Sequence, residues 1–329
     1  MIKQKDEIFR FQNKENRLDL APIKVESILI SNKAMISSQA ISLALENNID
    51  IIFLDKYGFP HGRVWFSKMG STTQIRRRQL EASQTSLSIK LVTDMVQQKL
   101  SNQFQFLKKL CASRPGKEDK FNAPIHSIQN SIESLAAIDI SSNIEECRSH
   151  IMGLEGAAGR AYFSCISKIM PEKFYFKGRS KRPAQDPFNA ALNYCYGVLY
   201  SRVEKACIIA GLDPFVGFMH TDNYNKKSMV FDLIEPFRVF ADQVSVYFFT
   251  GKKAKDDYFD FQSRSCSLNT LGKPQIIEAL NQHLEERVRY RNRNVKRKHL
   301  ISHEAHRLAN ILLEGTGMTR PDWLKIREF

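Results

Sequence analysis

A change of patterning at residues 68–73 (KMGSTT) constrains the fold of this chain more than any other feature. Before it, short Ile-rich apolar runs stand between turn signals. After it, apolar residues return mostly at three- and four-residue intervals. Short bounded apolar runs suit buried strands, and a period near 3.6 suits amphipathic helices. The expected fold is therefore α+β. A β-rich, β-sandwich-like domain should occupy residues 1–72, and a larger all-α domain residues 73–329.

In the first part, residues 25–31 (VESILIS) and 50–54 (DIIFL) read as strands and residues 36–46 as a short helix. Residues 63–66 read as a further strand after the turn signals Tyr57-Gly58 and Pro60-His61-Gly62. In the second part, residues 74–113 predict one long helix or two. Further helices are expected over 125–138, 142–170, 188–210, 228–249 and 274–314. Gly211 is a C-cap candidate, Pro236 a break, and residues 114–123 a loop.

Lys and Arg exceed Asp and Glu by 49 − 35 = 14 among 329 residues, a surplus that favours a polyanionic partner, nucleic acid first. Two stretches concentrate it. Residues 174–187 (FYFKGRSKRPAQDP) set Lys177, Arg179, Lys181 and Arg182 beside three aromatics, a mixture suited to tracking a nucleic-acid backbone. The alternative is a solvated loop with its aromatics in the core. Arg287, Arg289, Arg291, Arg293, Lys296, Arg297 and Lys298 form a run with no intervening acid. A solvated helix face normally mixes signs, so phosphate contact is the better reading. The six cysteines include no C-x-x-C pair and read as buried free thiols in a reducing compartment. Residues 1–16 are too polar for a signal peptide, and no apolar run reaches the ~20 residues of a membrane helix. A cytoplasmic protein without membrane contact is expected.

Residues 217–238 (GFMHTDNYNKKSMVFDLIEPFR) carry the chemistry. If Ser228 starts a helix, Asp232 and Glu235 project from one face, where His220 can meet them. Nitrogen with hard oxygens suits a divalent metal. A core histidine beside a solvated acidic face is the alternative, and helical spacing does not choose between the two acids. In residues 153–163 (GLEGAAGRAYF), Glu155 stands among glycines that each cost about 0.8–1 kcal/mol of helix propensity relative to Ala. That cost is tolerated where another backbone or a substrate strand must come close. A second histidine group, His299, His303 and His306, shares a helix face after the cationic run but lacks the H-E-x-x-H pattern. It reads as an extension of that surface or as packing against a neighbour, with a metal there as the rival.

The four segments GLEGAAGRAYF, DPFNAALNY, GLDPFVGFMHT and SMVFDLIEPFR, in that order, resemble the CRISPR-associated integrase family over residues 154–238. The β-rich start matches that family's layout by architecture only. The resemblance implies a metal-dependent DNA endonuclease and integrase of antiviral CRISPR adaptation. Its metal ligands fall on Glu155, His220 and Glu235, with Asp232 in support, so that the ranking of the two acids rests on the resemblance. Asn189, Asn193 and Arg238 match recurrent polar positions. The loop TDNYNKK, with Lys226 and Lys227, matches no family role. Mg²⁺ favours all-oxygen sites, so the histidine makes Mn²⁺ an equal or better occupant. The resemblance also implies double-stranded and branched DNA as substrates and a homodimer joined through the N-terminal domain. Two such dimers and a small partner adaptation protein would form a heterohexamer. The rival class is an architectural double-stranded DNA-binding protein without catalysis.

Overall fold

Residues 1–31, 33–65, 73–139, 144–220 and 226–314 are described by the structure, a computed structural model. The chain divides into two compact units, Met1–Met69 and Gly70–Phe329.

In the first unit, β1 (Ile2–Lys5), β2 (Ile8–Gln12) and β3 (Arg17–Leu20) make an antiparallel meander. A second sheet holds β4 (Ser27–Ile30), β5 (Asp50–Leu54) and β6 (Pro60–Val64). β4 and β5 run parallel, which requires a crossover, and α1 (Ser38–Glu46) supplies it. β5 is the middle strand, with Ile51, Ile52 and Leu54 all buried. DIIFL therefore shows no alternation, as a strand covered on both faces should not. One core joins Ile2 and Phe9 of the meander to Ile28, Ile30, Leu43 and Ile51. The expected strand at residues 63–66 begins earlier, at Pro60; Phe66 and most of the 68–73 switch lie outside the described residues.

In the second unit, the breaker-poor stretch is two helices, α2 (Thr73–Ser83) and α3 (Ser86–Ala112). α4 (Asp119–Ala136) and α5 (Ile144–Lys168) pack on α3. α4 begins inside the predicted 114–123 loop and carries Pro124 within it, so that proline does not mark the boundary. The expected start at Ser142 lies outside the described residues. α6 (Pro187–Ile209) is buried along most of its length, packed by helices and a strand. Apolar residues all round a helix signal such a position. Asp186 caps α6 by accepting the Asn189 N–H at 2.8 Å, with Pro187 first in the helix, and Gly211 follows its end at φ +83°. Next come α7 (Ser228–Ile234), a 3₁₀ turn at Glu235–Phe237 that contains Pro236, and α8 (Arg238–Thr250).

Two hairpins interrupt the helical unit. β7 (Phe259–Gln262) pairs with β8 (Ser265–Leu268) ahead of α9 (Gly272–Glu285). β9 (Arg287–Tyr290) pairs with β10 (Arg293–Lys296) ahead of α10 (Arg297–Glu314). The continuous helix expected over 274–314 is thus two helices flanking a hairpin. Val288 and Tyr290 are buried while Arg287 and Arg289 are exposed, and this period of two defeats a helix.

Candidate metal centre

Residues 217–220 run beside the start of α7 because Gly217 lets them. A Cβ at Gly217 would lie 2.5 Å from the Ser228 Cβ and 2.8 Å from its carbonyl carbon. The Asp232 carboxylate, buried on α7, gathers this segment. Its Oδ2 accepts the N–H groups of Phe218 at 2.6 Å and Met219 at 3.0 Å, and its Oδ1 accepts that of His220 at 3.2 Å. The same Oδ1 lies 2.6 Å from His220 Nδ1. A proton on Nδ1 satisfies that contact and leaves the lone pair on Nε2, the arrangement found behind metal-binding histidines. Both Asp232 oxygens are thereby engaged by this segment.

One turn further on, Glu235 is 3% exposed. Arg238 donates to its Oε1 from Nε at 2.9 Å, and Arg238 Nη2 lies 2.8 Å away. Its other oxygen, Oε2, faces the ammonium of Lys99 at 2.6 Å but has no hydrogen bond of good geometry. Lys99 comes from α3 and also donates to Glu155 Oε1 on α5. Burial by itself would raise the Glu235 pKa. The Arg238 and Lys99 charges outweigh it and hold the carboxyl well below the usual range. Burial likewise works against the Lys99 charge, and Glu235 and Glu155 reverse the balance, raising its pKa. Asn102, also on α3, donates to the Pro236 carbonyl at 2.8 Å and fastens the 3₁₀ turn to the same helix.

Two carboxylates from different elements thus converge on one cation, and the buried Oε2 faces it without a hydrogen bond of good geometry. Two carboxylate oxygens at one point suit a divalent ion, while the predicted nitrogen ligand, His220, is held by Asp232. Among the described residues, no three His, Cys, Asp or Glu side chains are gathered tightly enough to enclose an ion as they stand. The Lys99 ammonium sits between the two glutamates. On α5, a Cβ at Gly153 or Gly159 would meet nothing within 4 Å. At Gly156, between them, a Cβ would meet only the end of the Arg160 side chain, at 3.5 Å, so no other helix packs closely on these glycines.

The family profile for CRISPR associated protein Cas1 matches residues 1–282. This chain belongs to the Cas1 family. It is similar to the CRISPR-associated endonuclease Cas1 1 of Archaeoglobus fulgidus, at 31% identity over 290 residues that cover 85% of this chain and 84% of the relative. Among solved structures, a casposase bound to integration product superposes with a TM-score of 0.83 at 21% identity, covering 96% of this chain and 89% of that one. The Cas6-RT-Cas1–Cas2 complex gives a TM-score of 0.78 at 19% identity, covering 95% of this chain and 34% of that one. At such identities the superpositions establish the fold, a small β region followed by a mostly helical domain.

Around the Glu155, Lys99 and Glu235 cluster the structure redistributes the basic residues expected on nucleic acid. Arg179 does not offer a free fork. Its guanidinium donates to Asn189 Oδ1 at 2.6 Å and Asn193 Oδ1 at 2.5 Å and lies over the Phe163 and Tyr196 rings. Phe174 and Phe176 are core residues, Phe176 stacked on Phe188 at 4.4 Å between ring centroids. The aromatic half of the 174–187 pattern is therefore packing, with only Tyr175 exposed. Lys177, Lys181 and Arg182 stay exposed on the loop. In the second stretch, Arg297 is buried and bonded to Glu286 and the His283 carbonyl. Lys296 and Lys298 each lie 2.6 Å from Glu285. The acids that the run lacks in sequence are supplied by α9. Arg287, Arg289, Arg291 and Arg293 on the hairpin remain exposed. His303 stacks on Tyr290, and His306 Nδ1 lies 2.8 Å from the Ser302 carbonyl. Lys227 pairs with Glu204 at 2.5 Å, and residues 221–225 of the TDNYNKK loop lie outside the described residues. The six cysteines are free, four buried and two partly exposed.

Lys99 and Asn102 escape the motif reading. A signal for Lys99 was present nonetheless: it continues the stripe of Leu91, Val92, Met95 and Val96, where a charged residue needs a buried partner.

Proposed function

We propose that this chain is a divalent-metal-dependent DNA integrase and nuclease of CRISPR adaptation, inserting short foreign DNA into the CRISPR array. Family membership supports phosphodiester chemistry, as does the endonuclease name of the A. fulgidus relative. The convergence of Glu155 and Glu235 on one buried cation carries the site assignment. In the reaction, a DNA 3′-hydroxyl attacks a phosphodiester, and the displaced strand leaves with its own 3′-hydroxyl; no side-chain nucleophile is needed. Glu155, Glu235 and His220 Nε2 would hold Mn²⁺ or Mg²⁺, which when bound lowers the pKa of the attacking hydroxyl and offsets charge on the phosphoryl oxygens.

The chain's own residues do the rest. Asp232 fixes the His220 ring, and Arg238 holds Glu235 Oε1 so that Oε2 faces the centre. The bare glycine face of α5 gives a DNA backbone room beside Glu155. Exposed hairpin arginines, with Lys177, Lys181 and Arg182, hold phosphates without reading sequence. The protein acts in the cytoplasm as a homodimer joined through its N-terminal unit, two dimers flanking a small partner of the Cas2 kind. Exposed Ile23, Met35 and Leu18 on that unit support the dimer. Among the described residues, no helix is long and apolar enough to cross a membrane.

The test is strand transfer of a short duplex into supercoiled plasmid, with Mn²⁺ and the partner. Glu155→Ala, His220→Ala and Glu235→Ala should each lower the rate on the order of a hundredfold or more. DNA affinity at fixed salt should stay near that of the parent. Insertion at the normal rate by any of the three would remove that residue from the site. An architectural protein would bind DNA equally in Mn²⁺ and EDTA and make no product.

A further inference from the structure

We propose that Lys99 is a built-in counter-cation of the metal centre, holding Glu155 and Glu235 converged and withdrawing its ammonium when a divalent ion binds between them. The inference rests on the assignment of those two glutamates to the ion.

Two carboxylates drawn to one point repel each other, and a buried one is costly unless paired. α3 answers this by sending a lysine between them. Lys99 is 7% exposed, contacts Glu155 Oε1, and lies 2.6 Å from Glu235 Oε2. With Arg238 on Glu235 Oε1, two cations balance two anions. The two carboxylates are thus offset and held in place without metal, with Lys181 adding a further positive charge within electrostatic range. An ion that takes the same carboxylate oxygens meets a positive charge already seated there. The lysine stem is flexible and its ammonium a compact point charge, so withdrawal is sterically open to it in a way that the forked, doubly bonded Arg238 does not share. Lys99 therefore trades affinity for order: it keeps the site assembled and lowers its affinity for free metal. DNA phosphates, which bring negative charge, would then favour loading of the ion where substrate is already bound.

The experiment measures Mn²⁺ binding to the full-length protein without DNA, from the electron paramagnetic resonance signal of free Mn²⁺, and melting temperature with and without Mn²⁺. Lys99→Met should bind Mn²⁺ more tightly, on the order of tenfold. Its metal-free form should melt lower and gain more from Mn²⁺ than the parent does. Lys99→Gln, neutral but still able to donate a hydrogen bond, should show the same tightening if the methionine variant does not fold. Unchanged or weaker Mn²⁺ binding in a folded neutral variant overturns the proposal, because a merely structural lysine leaves affinity unchanged or reduced. Glu235→Gln separates the two levels. If it binds Mn²⁺ like the parent, the site assignment itself fails. If it loses Mn²⁺ while the Lys99 variants show no tightening, only the role of Lys99 fails.

Discussion

Asp242, on α8, is a carboxylic acid in surroundings that favour its neutral form. Burial pushes its pKa up to about 6, against the pull of the Tyr196 and Tyr162 hydroxyls and of the Arg179 and Arg238 charges. The Tyr196 hydroxyl donates to its Oδ1 at 2.5 Å, while Oδ2 and the Tyr162 hydroxyl are buried without a hydrogen bond of good geometry. A proton on Oδ2 relieves that deficit. An unfolded Asp titrates near 3.9. The folded state therefore holds this proton more tightly, and the stability it contributes is complete below about pH 4 and lost as pH rises through about 6. The loss is on the order of 3 kcal/mol. Asp242→Asn mimics the protonated acid, so its melting temperature relative to the parent should rise between pH 4.5 and 7.5, measured without divalent ions. Taking the difference cancels Glu235, whose depressed pKa acts with the opposite sign. Parallel melting curves across that range would rule out a buried titrating Asp242. Asp242 also shows what was hidden at this scale. Glu155, His220 and Glu235 stand out in the sequence because they sit in motifs, whereas Asp242 and Lys99 owe their character to neighbours 46 and 56 residues away in the chain.

At the scale of elements, legibility followed the strength of the periodic signal. α3, α5 and α6 were readable, and so was β5, because long apolar stripes and a buried Ile run leave little choice. The hairpins were not. β1–β2 turns at Asp6 and Glu7, with φ 49° and 59°, and β9–β10 turns at Arg291 and Asn292, with φ 45° and 62°. Both tight turns use positive φ without glycine, so the usual hairpin signal is missing. The second hairpin also carries the cationic run, which splits by element into two tasks. Arg287, Arg289 and Arg293 are exposed on the ribbon, while Lys296, Arg297 and Lys298 tie the start of α10 to Glu285, the last residue of α9, and to Glu286 just after it. Removing Arg287, Arg289 and Arg293 together by alanine should flatten the plot of log DNA affinity against log salt by up to about 0.9 for each lost phosphate contact, with melting temperature unchanged. Arg297→Ala should do the reverse, lowering the melting temperature and leaving the salt slope alone. Fluorescence anisotropy over a salt series reads the first and calorimetry the second. Equal slopes for the parent and the triple variant would exclude the hairpin from the DNA surface.

For the whole molecule, the two units divide the physical work. The helical unit carries the buried charge cluster, and a cluster of that kind needs a large apolar surround. The first unit has only a small core, and it leaves Ile23 95%, Met35 70% and Leu18 54% exposed. A small domain gains by covering such residues, and in a two-fold dimer each is covered twice because both copies present the same patch. Ile23 is the sharpest probe, since it adds nothing to the core of its own chain. If the proposed dimer forms through this patch, Ile23→Asp should convert it to monomer at micromolar concentration, read by light scattering after gel filtration. Melting of the isolated chain and Mn²⁺ binding at Glu155 and Glu235 should be unaffected, because the charge cluster lies wholly within the second unit. If the proposed dimer is the unit that integrates, strand transfer should fall with assembly. A dimer that survives Ile23→Asp would place the contact elsewhere. Loss of Mn²⁺ binding together with the dimer would show that the centre is not complete within one chain.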